Sequence, residues 1–163
     1  MLNKSKALPP VLTLDGPSGS GKGTIGQLCA LKFGWHYLDS GAIYRGLAWL
    51  ANQHGVTAED VDGLVDLAET MSLVCHVQAN DVAQIEINGR IVTDELRTEE
   101  TGEMASKIAP LAPVRAALLA MQRRCRKAPG LVADGRDMGT VVFPDAEFKA
   151  VSYTHLTLPT THC

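Results

Sequence analysis

The chain has 163 residues, of which 45% are hydrophobic and 20% are charged, enough apolar material for one globular domain with a buried core. Its formal net charge of −3 argues against broad electrostatic attraction to nucleic acid or to membrane surfaces. The four cysteines and five histidines are scattered without zinc-site spacing, and free thiols suit a reducing compartment, so we expect a cytoplasmic protein.

The N-terminal part of the chain shows no targeting segment before the first predicted strand. Residues 1–10 lack the apolar stretch of a secretory signal, and no run in the chain approaches transmembrane length, so we expect no membrane partner. The apolar, partly β-branched run Val11–Asp15 predicts a strand, and residues 25–33 have the pattern of a helix.

A glycine-rich segment at 16–24 lies between this strand and this helix, which is the context of a phosphate-binding loop. Glycines let several backbone N–H groups point at one anion, and a helix that begins near Lys22 adds the positive end of its dipole. Lys22 can then reach the β- and γ-phosphates of a nucleotide. In the general motif a hydroxyl residue follows the lysine directly, whereas here Gly23 intervenes before Thr24, which resembles the nucleoside monophosphate kinases. The alternative is a glycine-rich turn with a surface lysine, which the flanking elements disfavour.

A second strand is predicted over 35–38 and is followed by the polar cluster 39–41, where open α/β sheets place ligand groups. A helix over 42–54 comes next, and its Arg45 is either a site residue or a solvent-exposed side chain. The next helix is predicted over 57–71, with Thr57 as N-cap and Asp60 at the capping-box position.

The middle of the chain predicts an antiparallel meander over 73–77, 83–87 and 90–92, because the residues alternate and an Asn-Gly turn joins the last two segments. Two helices follow, over 98–108 and over 113–127, the second starting at a proline. Near its end stand three arginines that we interpret as a solvent-exposed face: Arg123, Arg124 and Arg126.

The apolar run 131–134 ends in Asp134, the generic form of the second acidic motif of phosphate-loop enzymes, where the carboxylate organises Mg²⁺ and water. A polar loop over 135–140 follows at once, and charges at the end of a central strand indicate function. Residues 148–151 predict a further strand. The alternation of strands and helices predicts an α/β fold with a small antiparallel insert.

Three segments together resemble the bacterial cytidylate kinases: residues 14–24, residues 38–45 (Leu-Asp-Ser-Gly-Ala-Ile-Tyr-Arg) and residues 133–146 (Ala-Asp-Gly-Arg-Asp-Met-Gly-Thr-Val-Val-Phe-Pro-Asp-Ala). The resemblance runs over 10–150 and implies the P-loop nucleoside monophosphate kinase fold, a parallel sheet flanked by helices with an antiparallel substrate-binding insert at about 71–112. It implies transfer of the γ-phosphoryl group of ATP to CMP or dCMP with Mg²⁺. Nothing in the sequence demands more than a monomer, and the net charge of −3 leads us to expect small-molecule partners and no nucleic acid.

The resemblance also assigns roles to individual residues. Lys22, Arg45 and Arg136 would be catalytic, and the two arginines would hold the phosphate of CMP. Cytosine would be read by Ser106, Arg115 and Asp137, with Ser40 beside the CMP. A magnesium and water network would include Thr24 and Asp134, with Asp15 nearby. The phosphates of ATP would lie against Gly16, Pro17, Ser18, Gly19, Ser20, Gly21, Lys22, Gly23 and Thr24.

The chemistry of cytosine supports this pairing of residues with the base. A carboxylate at Asp137 can accept from the 4-amino group, and Arg115 can donate to N3 and O2. Uracil reverses two of these groups, so the unpaired polar contacts predict a preference for cytosine of roughly a hundredfold or more.

The tail 151–163 has no arginine, lysine, aspartate or glutamate and shows no match to the family. The arginine-rich lid and the last strand and helix of the family have no counterpart, so we expect a truncated or foreign junction and a weak or inactive kinase. Three alternatives stay open: a small P-loop kinase with another acceptor such as shikimate, a GTPase-like switch, and a non-catalytic nucleotide-binding fragment. The switch is disfavoured because no Asn-Lys-x-Asp motif is present.

Overall fold

The computed structural model describes residues 7–152, so the predictions for residues 1–6 and for 153–163 of the tail lie outside the described residues. Strands and helices alternate along this range. In chain order they are β1 Val11–Asp15, α1 Lys22–Phe33, β2 His36–Asp39, α2 Ser40–His54, α3 Val61–Thr70, β3 Leu73–His76, β4 Gln84–Ile87, β5 Arg90–Ile91, α4 Glu99–Ile108, α5 Ala112–Arg124, β6 Leu131–Gly135 and β7 Phe148–Val151. A 3₁₀ turn, Glu95–Arg97, precedes α4, and a π-helical turn, Met138–Val142, follows β6.

The larger sheet confirms the predicted parallel α/β architecture. Its strands lie in the order β2-β6-β1-β7, and every recorded pair is parallel. The central strand β6 is buried along its whole length, with Asp15 of β1 opposite Gly135 and Asp39 of β2 opposite Asp134. Because parallel strands end at one edge of the sheet, this register brings the polar residues that follow or end three strands to the same place.

The smaller sheet, with the order β3-β4-β5, confirms the predicted antiparallel meander. It packs against α2 through a close contact. A Cβ placed on Gly46 would lie 2.6 Å from Cδ1 of Ile87, a side chain that is fully buried. The guanidinium of Arg90 lies over the ring of Trp49, 5.5 Å from its centroid, which fixes the other end of the meander on the same helix.

The prediction of Thr57 as an N-cap was wrong. Helix α3 begins at Val61, and the cap is Asp60, whose carboxylate accepts from the N–H of Gly63 at 3.0 Å. Thr57 lies one turn earlier, where its carbonyl accepts from the N–H of Asp60 at 3.1 Å. Both residues are of types that cap helices, and the local sequence does not decide between them.

Helices α4 and α5 confirm the helices predicted over 98–108 and over 113–127, although α5 is shorter than predicted at its C-terminal end. Thr98 caps α4, and α5 ends at Arg124, with Cys125 as its C-cap, rather than at residue 127. Within residues 7–152 no single helix is long and apolar enough to cross a membrane. These two helices, bent by 105° at their break, pass that test of length and composition only as a pair.

The interpretation of Arg123, Arg124 and Arg126 as a solvent-exposed face was wrong for Arg126, which lies just beyond α5 and whose side chain is 10% exposed, whereas Arg123 is exposed as predicted but makes hydrogen bonds. Arg123 donates to the carbonyl oxygens of Val142 and Val141, at 3.2 and 3.0 Å. Arg126 donates to the carbonyl oxygen of Pro9 and forms an ion pair of 2.8 Å with Asp145, whose carboxyl pKa that hydrogen bond lowers. Arg124 is exposed, as predicted. The end of α5 abuts other segments, which a helical pattern alone does not reveal.

Candidate functional site

The loop between β1 and α1 has the geometry of an anion-binding turn. Gly19 and Gly21 have φ angles of 78° and 80°, in the left-handed region that glycine adopts without steric cost. The N–H of Gly16 donates to the carbonyl oxygen of Gly135 at 3.2 Å, which ties the loop to the end of β6. Helix α1 then starts at Lys22, so its first-turn N–H groups face the loop and favour a bound anion.

A buried ion pair lies directly behind the loop. The Nζ atom of Lys22 is 3.0 Å from Oδ1 of Asp134, and the hydroxyl of Tyr37 donates to Oδ2 of the same carboxylate at 2.8 Å. The side chain of Asp134 is only 4% exposed. Burial, and after it the neighbouring Asp134 carboxylate, raises the pKa of Tyr37, so the phenol stays a neutral donor. Each oxygen of Asp134 therefore has its own partner, and Lys22 is held beside the loop.

A second carboxylate, Asp39, faces Asp134 from the adjacent strand. It caps α2 by accepting from the N–H groups of Gly41 and Ala42, at 2.9 and 3.3 Å. Burial raises the pKa of Asp39, and the charge of Asp134 raises it further, while the two backbone N–H groups and Lys22 oppose the shift. The strand end thus holds two carboxylates and one lysine in close proximity.

A cleft of about 650 Å³ opens at this edge of the sheet and is lined by residues from both the donor and the acceptor part of the predicted site. The phosphate loop contributes Gly16, Ser18 and Lys22, and the end of β6 contributes the two residues after Gly135. A Cβ on Gly135 would collide with the hydroxyl of Ser40, so the close approach of β6 to α2 requires glycine there. Seven of the predicted site residues share this cleft: Gly16, Ser18, Lys22, Ser40, Arg115, Arg136 and Asp137.

Arg45 and Ser106 lie outside that cleft. Arg45 lines a neighbouring cleft of about 400 Å³ against the meander, and its Nη1 donates to the carbonyl oxygen of Leu96 at 2.9 Å. It also borders a wider groove of about 760 Å³ that includes Ser106, whose hydroxyl donates to the carbonyl oxygen of Gly102 at 3.0 Å. The structure brings these two residues together, but not with Arg115 and Asp137, and their role at one substrate stays a prediction.

Several residues that were not named as site residues also line the main cleft, among them Tyr44 and Gln122, and Asp39 of the predicted polar cluster 39–41 lies there too. Tyr44 follows Ser40 by four residues on α2, and Gln122 follows Arg115 by seven residues on α5. These spacings place each pair on one face of its helix. The periodicity applied to Ser40 and Arg115 could therefore have found both.

The residues predicted for Mg²⁺ supply only oxygen ligands. Thr24 is exposed in the first turn of α1, and Asp134 lies at the end of β6. In the described part of the chain, no group of three or more histidines, cysteines or acidic residues could hold a metal ion. Mg²⁺ is commonly held by one or two protein oxygens together with substrate phosphates and water, and Thr24 and Asp134 fit that pattern. Both oxygens of Asp15 accept backbone N–H bonds, from Met138 at 2.7 Å and Gly139 at 2.9 Å.

A phosphate loop at the edge of a parallel sheet, with an antiparallel insert packed beside it, is the fold of the P-loop nucleoside monophosphate kinases. Comparison with known proteins narrows this class. The family model described as cytidylate kinase matches residues 12–153, and the chain belongs to the cytidylate kinase family.

Several curated cytidylate kinases are similar to the chain. The protein of Marinomonas sp. (strain MWYL1) is 53% identical over 140 residues, which cover 86% of this chain and 62% of the relative. The protein of Aeromonas hydrophila is 55% identical over 142 residues, covering 87% and 61%, and that of Photobacterium profundum is 56% identical over 140 residues, covering 86% and 61%. The chain thus spans about three fifths of the length of these relatives.

Proposed function

We propose that this chain carries the donor and acceptor sites of a kinase that transfers the γ-phosphoryl group of ATP to CMP or dCMP. One observation carries the proposal. A single cleft is lined at one end by the phosphate loop and at the other by Arg115, Arg136 and Asp137. Phosphoryl transfer needs two substrates held in line and their charge neutralised, which such a cleft can provide without a covalent nucleophile.

On the donor side, the loop 16–24 binds the phosphates of ATP through its backbone N–H groups and the first turn of α1. Lys22 exchanges part of its contact with Asp134 for the phosphate oxygens and neutralises charge on the transferring group. Thr24 and Asp134, the latter partly through water, hold Mg²⁺, which neutralises phosphate charge when bound. Tyr37 keeps Asp134 oriented through its 2.8 Å hydrogen bond.

On the acceptor side, Asp137 accepts from the 4-amino group of cytosine and Arg115 donates to its N3 and O2. Arg136 binds the phosphate of CMP, and Ser40, which lines the same cleft as Arg136, lies beside the CMP. Ser106, which belongs to the insert at about 71–112, joins them when the insert approaches the loop, and Arg45 of α2 lines the adjoining grooves. The kinase unit spans 10–150.

We further propose a cytoplasmic monomer whose partners are the nucleotides alone, without nucleic acid or membrane. The net charge of −3 supports weak interaction with polyanions. Cys29, Cys75 and Cys125 are free thiols, which supports a reducing compartment.

The direct test is an assay of ADP and CDP formation by this chain with Mg-ATP and CMP, dCMP or UMP as acceptor. We expect product with CMP and dCMP, at least a hundredfold less with UMP, and none after Lys22→Met. Shikimate as the better acceptor would favour a different small kinase. Nucleotide binding without any turnover would overturn the kinase proposal for this chain and favour the non-catalytic fragment.

A further inference from the structure

The π-helical turn Met138–Val142 begins immediately after two residues proposed to bind CMP, Arg136 and Asp137. Asp137 has a φ of 57°, the left-handed region that few residues other than glycine adopt. Its carbonyl oxygen accepts from the N–H groups of Val141 and Val142, at 2.9 and 3.1 Å. The orientation of Asp137 is therefore coupled to whether this single turn stays closed.

A single helical turn leaves unpaired N–H groups at its start and unpaired carbonyls at its end, so it needs partners from elsewhere. At the start, Asp15 of β1 accepts from the N–H groups of Met138 and Gly139. At the end, Arg123 of α5 donates from Nε to the carbonyl oxygen of Val142 and from Nη2 to that of Val141. The carboxylate at the N-terminal end and the guanidinium at the C-terminal end both match the dipole of the turn.

We propose that Asp15 and Arg123 form a clamp on this turn, and that Arg123 is a positioning residue for cytosine recognition. The inference rests on the proposed function, in which Asp137 and Arg115 read the base. Arg123 does not line the cleft itself, whereas Val141 and Val142, the residues it holds, do. Arg115 and Arg123 stand two turns apart on α5, so one helix carries a base-reading side chain and fixes the loop that carries the other.

Arg123 can be removed without loss of the fold, because it is exposed and Arg123→Ala creates no cavity in the core. The turn would open more often, and Asp137 would leave the left-handed conformation in part of the molecules. We expect the Kd for CMP to rise about tenfold, which is roughly 1.4 kcal/mol of binding free energy. The Kd for ATP should stay within twofold, because the loop 16–24 is tied to Gly135 and not to the π-helical turn.

Titration calorimetry of the full chain with CMP, and separately with ATP, tests this clamp. The matched control is Arg124→Ala, which removes the adjacent exposed arginine and should leave both Kd values unchanged. Arg123→Lys, which keeps the charge and one donor group, should bind CMP between wild type and Arg123→Ala. Millimolar guanidinium chloride should restore CMP binding to Arg123→Ala but not change Arg124→Ala. Wild-type CMP affinity in Arg123→Ala would overturn the clamp.

Amide hydrogen exchange of the nucleotide-free protein gives a second readout that does not depend on the proposed function. In Arg123→Ala the amides of Val141, Val142 and Phe143 should exchange at least tenfold faster, with no change in Arg124→Ala. Unchanged exchange would overturn the clamp even if CMP binds. A wild-type chain that binds no CMP, with faster exchange in Arg123→Ala, would refute the proposed function and leave the clamp supported.

Discussion

At the scale of single residues, the buried carboxylate of Asp134 is held by one hydrogen bond, from Tyr37, and one ion pair, with Lys22. If the hydroxyl of Tyr37 is removed by Tyr37→Phe, Oδ2 of Asp134 loses its 2.8 Å bond while it stays out of water. An unpaired buried acceptor costs about 1–3 kcal/mol, so we expect the free energy of unfolding to fall by that amount. Urea unfolding at pH 7 measures it.

The matched control is Tyr44→Phe on α2, because the hydroxyl of Tyr44 makes no recorded hydrogen bond within residues 7–152 and the side chain is half-buried. The free energy of unfolding of that variant should lie within roughly 0.5 kcal/mol of the wild-type value. Equal losses in the two variants would mean that the Tyr37 bond to Asp134 contributes little.

Asp39 predicts a particular pH dependence of stability. Its pKa is raised above the ordinary 3.8, chiefly by burial and then by the charge of Asp134, so the folded state binds this proton more tightly than the unfolded state. The stabilisation from Asp39 is therefore fully present below its unfolded pKa and is lost as pH rises through the folded pKa. The Asp39→Asn variant removes the titration but keeps a capping oxygen.

We expect Asp39→Asn to be at least as stable as wild type at pH 7, and to lose that advantage as the pH falls toward 4. Urea unfolding of both proteins at each pH gives the difference in free energy, in which titrating groups distant from Asp39 cancel. A difference that does not change with pH would contradict the raised pKa of Asp39.

At the scale of elements, the contact between α2 and the meander depends on the missing side chain at position 46. In Gly46→Ala the new Cβ would lie 2.6 Å from Cδ1 of Ile87 and 3.3 Å from Cδ1 of Leu73, so the fully buried Ile87 side chain must rotate or the helix and the meander must move apart. Overpacking of this kind costs about 1–3 kcal/mol, which exceeds the gain in helix propensity. We expect a net loss of stability in urea unfolding.

The control is Gly102→Ala in α4, where the nearest atom to the new Cβ is Nη1 of Arg45 at 3.6 Å, an ordinary contact. This variant should gain up to roughly 1 kcal/mol, because alanine restricts the unfolded chain more than glycine does. A stabilised Gly46→Ala would show that α2 and the meander are more loosely packed than described.

The elements that local sequence predicts are those with a clear period. The alternation in β4, the Asn-Gly turn before β5 and the glycine-rich loop before α1 were all sufficient to place them. The π-helical turn was predicted only as a polar loop, because its closure depends on Asp15, more than a hundred residues earlier, and on Arg123. Such partners are set by the tertiary fold and leave no local pattern.

The candidate site likewise contains residues that the sequence could place and residues whose positions depend on the tertiary fold. Lys22, Ser40 and Asp137 could be predicted to meet because each follows or lies near the end of a strand in one parallel sheet. Arg45 faces a groove beside the meander and shares a second groove along α4 with Ser106, and the distance of both residues from the cleft depends on how the insert sits on the sheet. Periodicity contains no information on that placement.

At the scale of the whole molecule, the first question is whether the chain unfolds as one cooperative unit. The main core cluster joins one face of the sheet to helices α2 to α5, and a smaller cluster packs α1 against the alternate residues of the same strands, so the shared sheet favours a single transition. Large apolar side chains stay exposed on α1 and β7, among them Leu28 at 58% and Phe148 at 57%. Because exposed apolar patches promote association, unfolding is best followed at several protein concentrations.

Ligand-induced shifts of the unfolding midpoint then test the two halves of the cleft separately. A ligand that binds only the folded state at a hundred times its Kd adds about 2.7 kcal/mol, and at 2–4 °C per kcal/mol for a chain of this size CMP should raise the midpoint by roughly 5–10 °C. If UMP binds about a hundredfold more weakly, the same concentration adds only about 0.4 kcal/mol and roughly 1 °C.

Mg-ATP should raise the unfolding midpoint independently of CMP. Lys22→Met should abolish the shift with Mg-ATP and keep the shift with CMP. The reason is that Lys22 belongs to the phosphate loop, whereas Arg115 and Asp137 line the other end of the cleft. Arg115→Ala should do the reverse. Equal shifts with CMP and UMP would show that Arg115 and Asp137 do not distinguish cytosine from uracil. The proposal that the phosphate loop binds ATP would not be affected. A shift with Mg-ATP alone would leave a nucleotide-binding domain whose acceptor is not a cytidine nucleotide. The pattern of shifts across the three nucleotides and two variants therefore assigns each end of the cleft its own ligand.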